Sequence, residues 1–304
     1  MRKKQRRNDE NMIKEFKMKW NQSCIAVYQS GEGSIPVVLL HGGGVDSALL
    51  SWREVMNLMP EKYTVYAIDL PGYGKSDRPD DMQGEYFYQK QISVVKSITN
   101  QLHLEKFILS GLSMGGAIAI GFALENPEMV SVLIPVDSWG LVTKMPCNIF
   151  YYWLIQSSMM KSSFRLFAKY RWLVRWSLTS SLIGDKRKVT RELTEEVYNL
   201  CRLPDAEKSM MDFQRSSLTK KNAIPDYTKR LWELQMPVLF MNGEKDALVR
   251  LKDTASASGK VRNSRLHVMG GCRHWAQKER PEEYVKTVDE FIKKQIYLKT
   301  EISS

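Results

Sequence analysis

Residues 106–124 read KFILSGLSMGGAIAIGFAL, and this stretch decides the fold. The apolar run that ends at Ser110 predicts a buried strand, and the run that begins at Ala117 predicts a helix. The few residues between them must reverse the chain, which strains the backbone at Ser113 and requires small residues two positions to either side. Such a turn exposes the serine hydroxyl at the strand end and is typical of a catalytic nucleophile, although a glycine-rich turn with a capping serine has the same short pattern.

A serine nucleophile needs a histidine base, and the chain has four histidines. His41 precedes a triple glycine, His103 ends a predicted helix, and His267 lies inside a predicted strand. His274 alone follows a strand in a loop of small residues, where its side chain can reach over the strand end. We therefore predict that His274 is the base.

The histidine in turn needs a carboxylate that orients it. Asp246 lies in the loop 242–246 (NGEKD), which follows a predicted strand and places it at the same sheet edge as Ser113. Asp137, one strand earlier, is the alternative. Glu244 lies in a tighter part of the turn and is predicted to be structural.

Negative charge that develops on the substrate oxygen needs preorganised hydrogen-bond donors. His41 is followed by Gly42, Gly43 and Gly44, whose backbone can approach a substrate without interference from a Cβ atom. We predict that the amides of Gly43 and Met114 form the oxyanion hole. A phosphate-binding loop is the alternative for a triple glycine, but the Gly-Lys-Ser/Thr ending of a P-loop is missing.

From residue 36 onward, short apolar runs alternate with helical patterns, which predicts an α/β fold with a mostly parallel sheet covered by helices on both faces. Between about residues 144 and 230 the pattern is helical and shows no convincing strand, so the catalytic domain is predicted to be discontinuous. The predicted strands are 36–40, 63–68, 106–110, 130–135, 236–241 and 264–269, and the predicted helices are 52–58, 89–102, 190–200 and 282–294.

Composition excludes several classes of protein. The 304 residues carry a net charge of +11, but the basic residues are spread along the chain without a nucleic-acid motif, so no nucleic-acid partner is predicted. Four scattered cysteines favour reduced thiols in a cytoplasmic protein and predict neither a disulfide framework nor a zinc site. The basic N-terminus lacks the apolar core of a signal peptide, and the apolar stretch 149–155 is too short to span a membrane. We expect no metal and no organic cofactor.

Taken together, these motifs resemble the α/β-hydrolase superfamily. The resemblance covers nearly all of residues 24–295 and includes the turn DLPGYGKSD at 69–77. Ser113, Asp246 and His274 follow one another in the order of the family's catalytic triad. The resemblance implies an α/β-hydrolase core at 24–143 and 233–295, an inserted helical cap at 144–232, and terminal extensions at 1–23 and 296–304.

The serine nucleophile excludes the branches of the superfamily that use an aspartate. The segments 41–44 (HGGG) and 274–277 (HWAQ) resemble the carbon-carbon bond hydrolases of aromatic ring-cleavage pathways, although that branch usually has asparagine at the position of Leu112. We expect a serine hydrolase that cleaves a carboxylic ester of a small, partly apolar substrate through an acyl-enzyme. One alternative is a carbon-carbon hydrolase acting on a vinylogous diketone acid, which should need an arginine near the pocket. Another is a low-turnover ligand-binding or signalling module. The residues expected to contact the substrate are Gly42, Leu112, Trp139 and Trp275.

The predicted cap is rich in aromatic, methionine and basic residues. Its aromatic side chains are expected in the buried faces of packed helices or, in a few cases, in a roof over Ser113 that favours an apolar substrate group. Its basic side chains form either a solvated face or a surface that attracts an anionic substrate or an anionic membrane. These basic residues are Lys161, Arg165, Lys169, Arg171, Arg175, Lys186, Arg187 and Lys188.

Overall fold

The structure, a computed structural model, describes the backbone of residues 13–302 and the side chains of residues 13–295. Its centre is one sheet of eight strands. The strands are β1 (Lys14–Trp20), β2 (Ser23–Ser30), β3 (Ile35–Leu40), β4 (Tyr63–Ile68), β5 (Phe107–Leu112), β6 (Val130–Val136), β7 (Val238–Gly243) and β8 (Ser264–Met269). Their order across the sheet is β1-β2-β4-β3-β5-β6-β7-β8.

Strands β3 to β8 are parallel, whereas β2 is antiparallel to both of its neighbours. All six predicted strands are confirmed, with ends that differ from the prediction by no more than two residues. These strands were predictable because a parallel sheet is buried on both faces, so that each strand is a short continuous apolar run.

The predicted N-terminal extension is corrected by the structure. Its residues 14–20 form β1, which pairs with β2 from Lys14 opposite Gln29 to Trp20 opposite Ser23. Phe16 and Met18 pack against the core on one face of this strand, while the intervening lysines point away. The core therefore begins before residue 24. Residues 1–12 and 303–304 of the two predicted extensions lie outside the described residues.

Helices cover both faces of the sheet, as the sequence predicts. Val37 and Leu39 of β3 belong to one buried cluster, and Val38 and Leu40 belong to the other. The helices outside the insertion are α1 (Ala48–Leu58), α2 (Phe87–Gln101), α3 (Met114–Glu125), α9 (Leu251–Ser258), α10 (Ala276–Glu279) and α11 (Pro281–Ile302). Helices α1 and α11 contribute to the first cluster, and α2 and α3 contribute to the second. The last helix extends past residue 295, where the core was predicted to end.

Between β6 and β7 the chain forms a group of helices, which we call the cap. Its helices are α4 (Asn148–Gln156), α5 (Ser158–Lys169), α6 (Arg171–Ser177), α7 (Arg191–Cys201) and α8 (Ala206–Ser216), and a π-helical turn (Leu178–Leu182) follows α6. Phe164, Val174 and Val197 of the cap belong to the same buried cluster as α1 and α11. Within residues 13–302, no helix has both the length and the apolar character that crossing a membrane requires.

Candidate active site

Ser113 lies in a tight turn between β5 and α3. Its backbone has φ +51° and ψ −113°, a conformation that is costly for a residue with a side chain. A Cβ atom on Gly111 would overlap the carbonyl oxygen of Gly115, and a Cβ atom on Gly115 would overlap that of His41. The turn therefore requires both glycines, as the Gly-x-Ser-x-Gly pattern predicts. The half-buried serine lies at the positive end of the α3 dipole, and its side chain makes no capping hydrogen bond.

The predicted base and acid meet at the edge of the sheet. The Nδ1 atom of His274 lies 2.7 Å from the Oδ2 atom of Asp246, and both side chains are buried. The other carboxylate oxygen accepts hydrogen bonds from the amides of Leu248, at 2.7 Å, and Val249, at 3.1 Å. Because a carboxylate only accepts, the histidine proton is on Nδ1, and the Nε2 atom is left free to act as a base.

The other three histidines are held in different positions. The Nδ1 atom of His41 donates to the carbonyl of Gly42 at 2.7 Å, and its Nε2 atom accepts from the amide of Leu70 at 3.0 Å. Burial lowers the pKa of His41 to about 4, so the ring is neutral and fully engaged in holding the loop. His267 pairs with Glu283 at 2.9 Å on β8, and His103 ends the turn after α2. Each therefore lies outside the site.

Asp137, the alternative acid, lies directly behind Asp246. One of its carboxyl oxygens accepts from the amide of Gly243 at 2.7 Å, and the other has no partner among the described donors. Burial and the neighbouring negative charge of Asp246 raise the pKa of Asp137 well above its usual range. A protonated Asp137 can then donate to Asp246, which itself bonds His274. Glu244, predicted to be structural, accepts from the amide of Gly271.

The glycine-rich loop after β3 is held by a buried carboxylate. Asp46 accepts from the amide of Gly42 at 2.8 Å and from the hydroxyl of Ser51 at 2.7 Å. Burial raises the pKa of Asp46 to about 7. A Cβ atom on Gly43 would overlap the ring of Phe213, so only glycine fits below the cap at this point. In the described part of the chain, the Gly43 amide donates no hydrogen bond, and neither does the Met114 amide at the start of α3.

Ser113 and His274 open onto a cavity of about 340 Å³ between the core and the cap. Its floor contains Gly42 and Gly43, and its walls include Trp275. The cap contributes an apolar roof of Met160, Phe164, Phe167, Val174, Leu178, Val197, Met210 and Phe213. The residues that line the cavity include no lysine, no arginine and no carboxylate. The site is therefore suited to an apolar, uncharged group.

Two of the four expected substrate contacts are corrected. Leu112 is completely buried beneath Gly42, in the core cluster, because side chains alternate along β5 and Ser113 turns away from the strand. Trp139 donates its ring N–H to the carbonyl of Ile224 at 2.6 Å and packs beside the second core cluster. Neither side chain lines the cavity, whereas Gly42 and Trp275 do.

The sequence analysis missed Gln214 of α8. This side chain lines the cavity, and its buried Oε1 atom has no hydrogen-bond partner among the described residues. Met210, Phe213 and Gln214 lie on one face of the helix, with the i, i+3, i+4 spacing of a buried stripe. That spacing could have identified the face, but not the site toward which it is turned.

No group of three or more histidine, cysteine or acidic side chains in the described part of the chain is arranged to hold a metal ion. All four cysteines are free thiols.

The chain belongs to the α/β-hydrolase family. The family model described as "alpha/beta hydrolase fold" matches residues 35–281, which include the serine turn, the Asp246 loop and His274. With this fold and this site, the protein is an enzyme of the α/β-hydrolase type.

The individual proteins that the chain resembles share less than a third of its residues. The chain is 28% identical over 271 residues to a 2-hydroxy-6-oxo-6-phenylhexa-2,4-dienoate hydrolase from Comamonas testosteroni, covering 87% of this chain and 90% of that protein. A solved meta-cleavage product hydrolase from Pseudomonas fluorescens IP01 superimposes with a TM-score of 0.76 at 24% identity, over 95% of this chain and 100% of that one. A thermophilic esterase from Thermogutta terrifontis superimposes with a TM-score of 0.70 at 21% identity, over 93% and 98%. Each of these two solved structures resembles this chain in fold.

Proposed function

We propose that the chain is a serine hydrolase with a Ser113, His274, Asp246 triad, and that it cleaves an ester or related acyl bond of a small, uncharged, apolar substrate. The observation that carries the proposal is the cavity, which joins Ser113 and His274 and has a mainly apolar lining without lysine, arginine or carboxylate. A carbonyl carbon held there lies in a low-dielectric site, where hydrogen bonds to a developing oxyanion are strong.

The proposed mechanism assigns one role to each of these groups. The Nε2 atom of His274 takes the proton of the Ser113 hydroxyl as its oxygen attacks the carbonyl carbon, and Asp246 stabilises the imidazolium. The unengaged amides of Gly43 and Met114 donate to the oxyanion. The tetrahedral intermediate collapses, the histidine protonates the departing alcohol, and an acyl-enzyme remains. Water, activated by the same histidine, then hydrolyses it. The reaction needs no metal and no organic cofactor.

Carbon-carbon bond hydrolysis is the second candidate, and the names of the relatives favour it over the ester bond. Several curated relatives are named as dienoate hydrolases, among them one from Pseudomonas putida that is 27% identical over 272 residues. Their named substrates are carboxylates, and a buried carboxylate without a cationic partner is strongly disfavoured. Arg171, Arg175 and Arg191 instead line a separate groove of the cap. The absence of a cation from the cavity lining supports a neutral substrate.

The test is a pair of serine substitutions inside one cavity. Ser113→Ala should lower kcat/KM for p-nitrophenyl butyrate by about 10³-fold or more and abolish labelling by a fluorophosphonate probe, because the nucleophile is removed. Ser177→Ala is the matched control, since Ser177 lines the same cavity from the cap, and it should keep both properties. Labelling that persists in Ser113→Ala would contradict the proposal. An absence of labelling in the wild type would favour the low-turnover binding module.

A second assay distinguishes ester hydrolysis from carbon-carbon bond hydrolysis. The wild type is offered p-nitrophenyl butyrate and a 2-hydroxy-6-oxo-dienoate under identical conditions. The neutral cavity predicts a higher kcat/KM for the ester. A dienoate preference that Ser113→Ala abolishes would indicate that the enzyme cleaves the carbon-carbon bond instead.

We also propose a reducing, cytoplasmic location, which the four free thiols support.

A further inference from the structure

The cap exposes an unusual number of large apolar side chains. Nine of the fourteen large hydrophobic residues that are exposed among the described residues lie between positions 149 and 176. Trp172 is 66% exposed, Trp176 is 59% exposed, and Phe150 and Trp153 of α4 are exposed to a similar extent. These side chains were expected in buried helix faces or in the roof, and the structure corrects that expectation. We call the exposed side of α4, α5 and α6 the outer cap face. It consists of Ile149, Phe150, Tyr151, Trp153, Met159, Leu166, Tyr170, Trp172 and Trp176, with the basic residues between them.

The outer cap face lies directly above the active-site cavity. Helix α6 turns Val174 into the cavity and Trp172 and Trp176 outward. Helix α5 similarly turns Phe164 inward and Leu166 outward. Because a helix with its side chains is about 10 Å across, the outer face and the cavity are separated by a single layer.

Strong positive charge accompanies the exposed apolar groups. Residues 144–188 contain nine lysines and arginines but only one acid, Asp185. Arg171 and Arg175 alternate with the two exposed tryptophans of α6, and together with Arg191 they line a groove of about 650 Å³. Arg171 pairs with Glu195 at 2.6 Å. In the described residues, Arg175 and Arg191 have no carboxylate within ion-pair distance.

We propose that the outer cap face docks on an anionic lipid bilayer, with its tryptophans in the interface and the arginine groove on lipid phosphates. A helix surface that alternates tryptophan with arginine matches both layers of such an interface, the acyl boundary and the headgroups. A second copy of this chain fits less well, because a symmetric contact would set two strongly basic faces against each other. The proposal does not depend on which bond the enzyme cleaves.

Vesicle co-sedimentation tests the proposal with the full-length protein. Phosphatidylcholine vesicles are compared with vesicles in which a third of the lipid is phosphatidylglycerol. The partition coefficient should be about 10-fold or more higher for the anionic vesicles, and this preference should fall as salt is raised from about 0.05 M to about 0.5 M. Equal binding to both vesicles, or no binding, would overturn the proposal.

Two pairs of variants locate the surface. The double substitution Trp172→Ser and Trp176→Ser should lower binding to anionic vesicles by about 10-fold or more. The matched control is Trp232→Ser, because Trp232 is a similarly exposed tryptophan that does not belong to the outer cap face, and it should bind as the wild type does. A Trp172→Ser, Trp176→Ser protein that binds normally would refute the assignment of the surface.

Two double lysine substitutions test the docking surface independently if the tryptophan variant folds poorly. Lys161→Gln with Lys169→Gln should weaken binding and reduce its salt dependence, whereas Lys252→Gln with Lys286→Gln, outside the cap, should not. Ser113→Ala should bind vesicles like the wild type, so that failure of the proposed catalysis and failure of docking are distinguishable. A wild-type dimer in size-exclusion chromatography that the tryptophan substitutions dissociate would assign the face to self-association and overturn the lipid proposal.

Discussion

Asp137→Asn tests which carboxylate serves His274. In the structure His274 bonds Asp246 at 2.7 Å, and Asp137 lies behind it with a pKa raised well above its usual range by burial and by the Asp246 charge. Burial and the Asp246 charge therefore favour the protonated form of Asp137, which can donate to Asp246. Asparagine has the same shape, is also neutral, can accept from the Gly243 amide and can donate to Asp246.

The expected magnitudes differ widely between substitutions. Asp137→Asn keeps the acceptor for the Gly243 amide and can still donate to Asp246, so kcat/KM should change by no more than about 3-fold, or less than about 1 kcal/mol. Asp246→Asn reverses the donor and acceptor roles at the histidine and should lower kcat by about 10⁴-fold. Asp137→Ala leaves the buried Gly243 amide without an acceptor, which costs about 1–3 kcal/mol and lowers Tm by several degrees.

The assay is steady-state hydrolysis of p-nitrophenyl butyrate by the four proteins, with a thermal melt of each. The reasoning is refuted if Asp137→Asn loses as much activity as Asp246→Asn while keeping the wild-type Tm. That result would make Asp137 the acid that orients the histidine.

Three further predictions concern the cavity and its glycine loop. Gly43→Ala should lower kcat/KM for ester hydrolysis by about 10²-fold or more, because the new Cβ overlaps the Phe213 ring and displaces a predicted oxyanion donor. A kcat/KM close to that of the wild type would contradict this prediction. Gln214→Leu should raise KM for substrates with a polar acyl chain and leave simple alkyl esters unchanged, since the unpartnered Oε1 atom faces the cavity; equal effects on both would count against a substrate contact. Asp46 has a pKa raised to about 7 from a usual value of 3.8, so the wild type loses stability as pH rises between these two values and the loss levels off above the higher one. The urea-unfolding free energy of Asp46→Asn relative to the wild type should therefore increase by about 3 kcal/mol from about pH 5 to about pH 8; a constant difference would refute the assignment.

The order of the catalytic groups was predictable because parallel strands all end at one edge of the sheet. A residue that follows a strand at its carboxyl end lies near every other such residue, so Ser113, Asp246 and His274 could be identified without knowledge of the packing. The edge strand β1 was missed for a different reason. The segment KEFKMKW alternates with a period of two, but its four charged residues made it look like a continuation of the basic tail.

In the cap, sequence patterns predict the helices but not the contacts of each helix face. Helical periodicity reports that a helix has two different faces, but not what each face touches. In α6 the pattern RWLVRWS places Val174 on one side and Trp172 and Trp176 on another, and the tryptophans are the exposed residues while Val174 is buried. An apolar cavity and an apolar membrane surface demand the same kind of side chain, so composition cannot distinguish a roof from a docking face. The distinction comes from the packing of α5, α6 and α8 around the cavity, which is why Gln214 was missed and the outer tryptophans were expected to be buried.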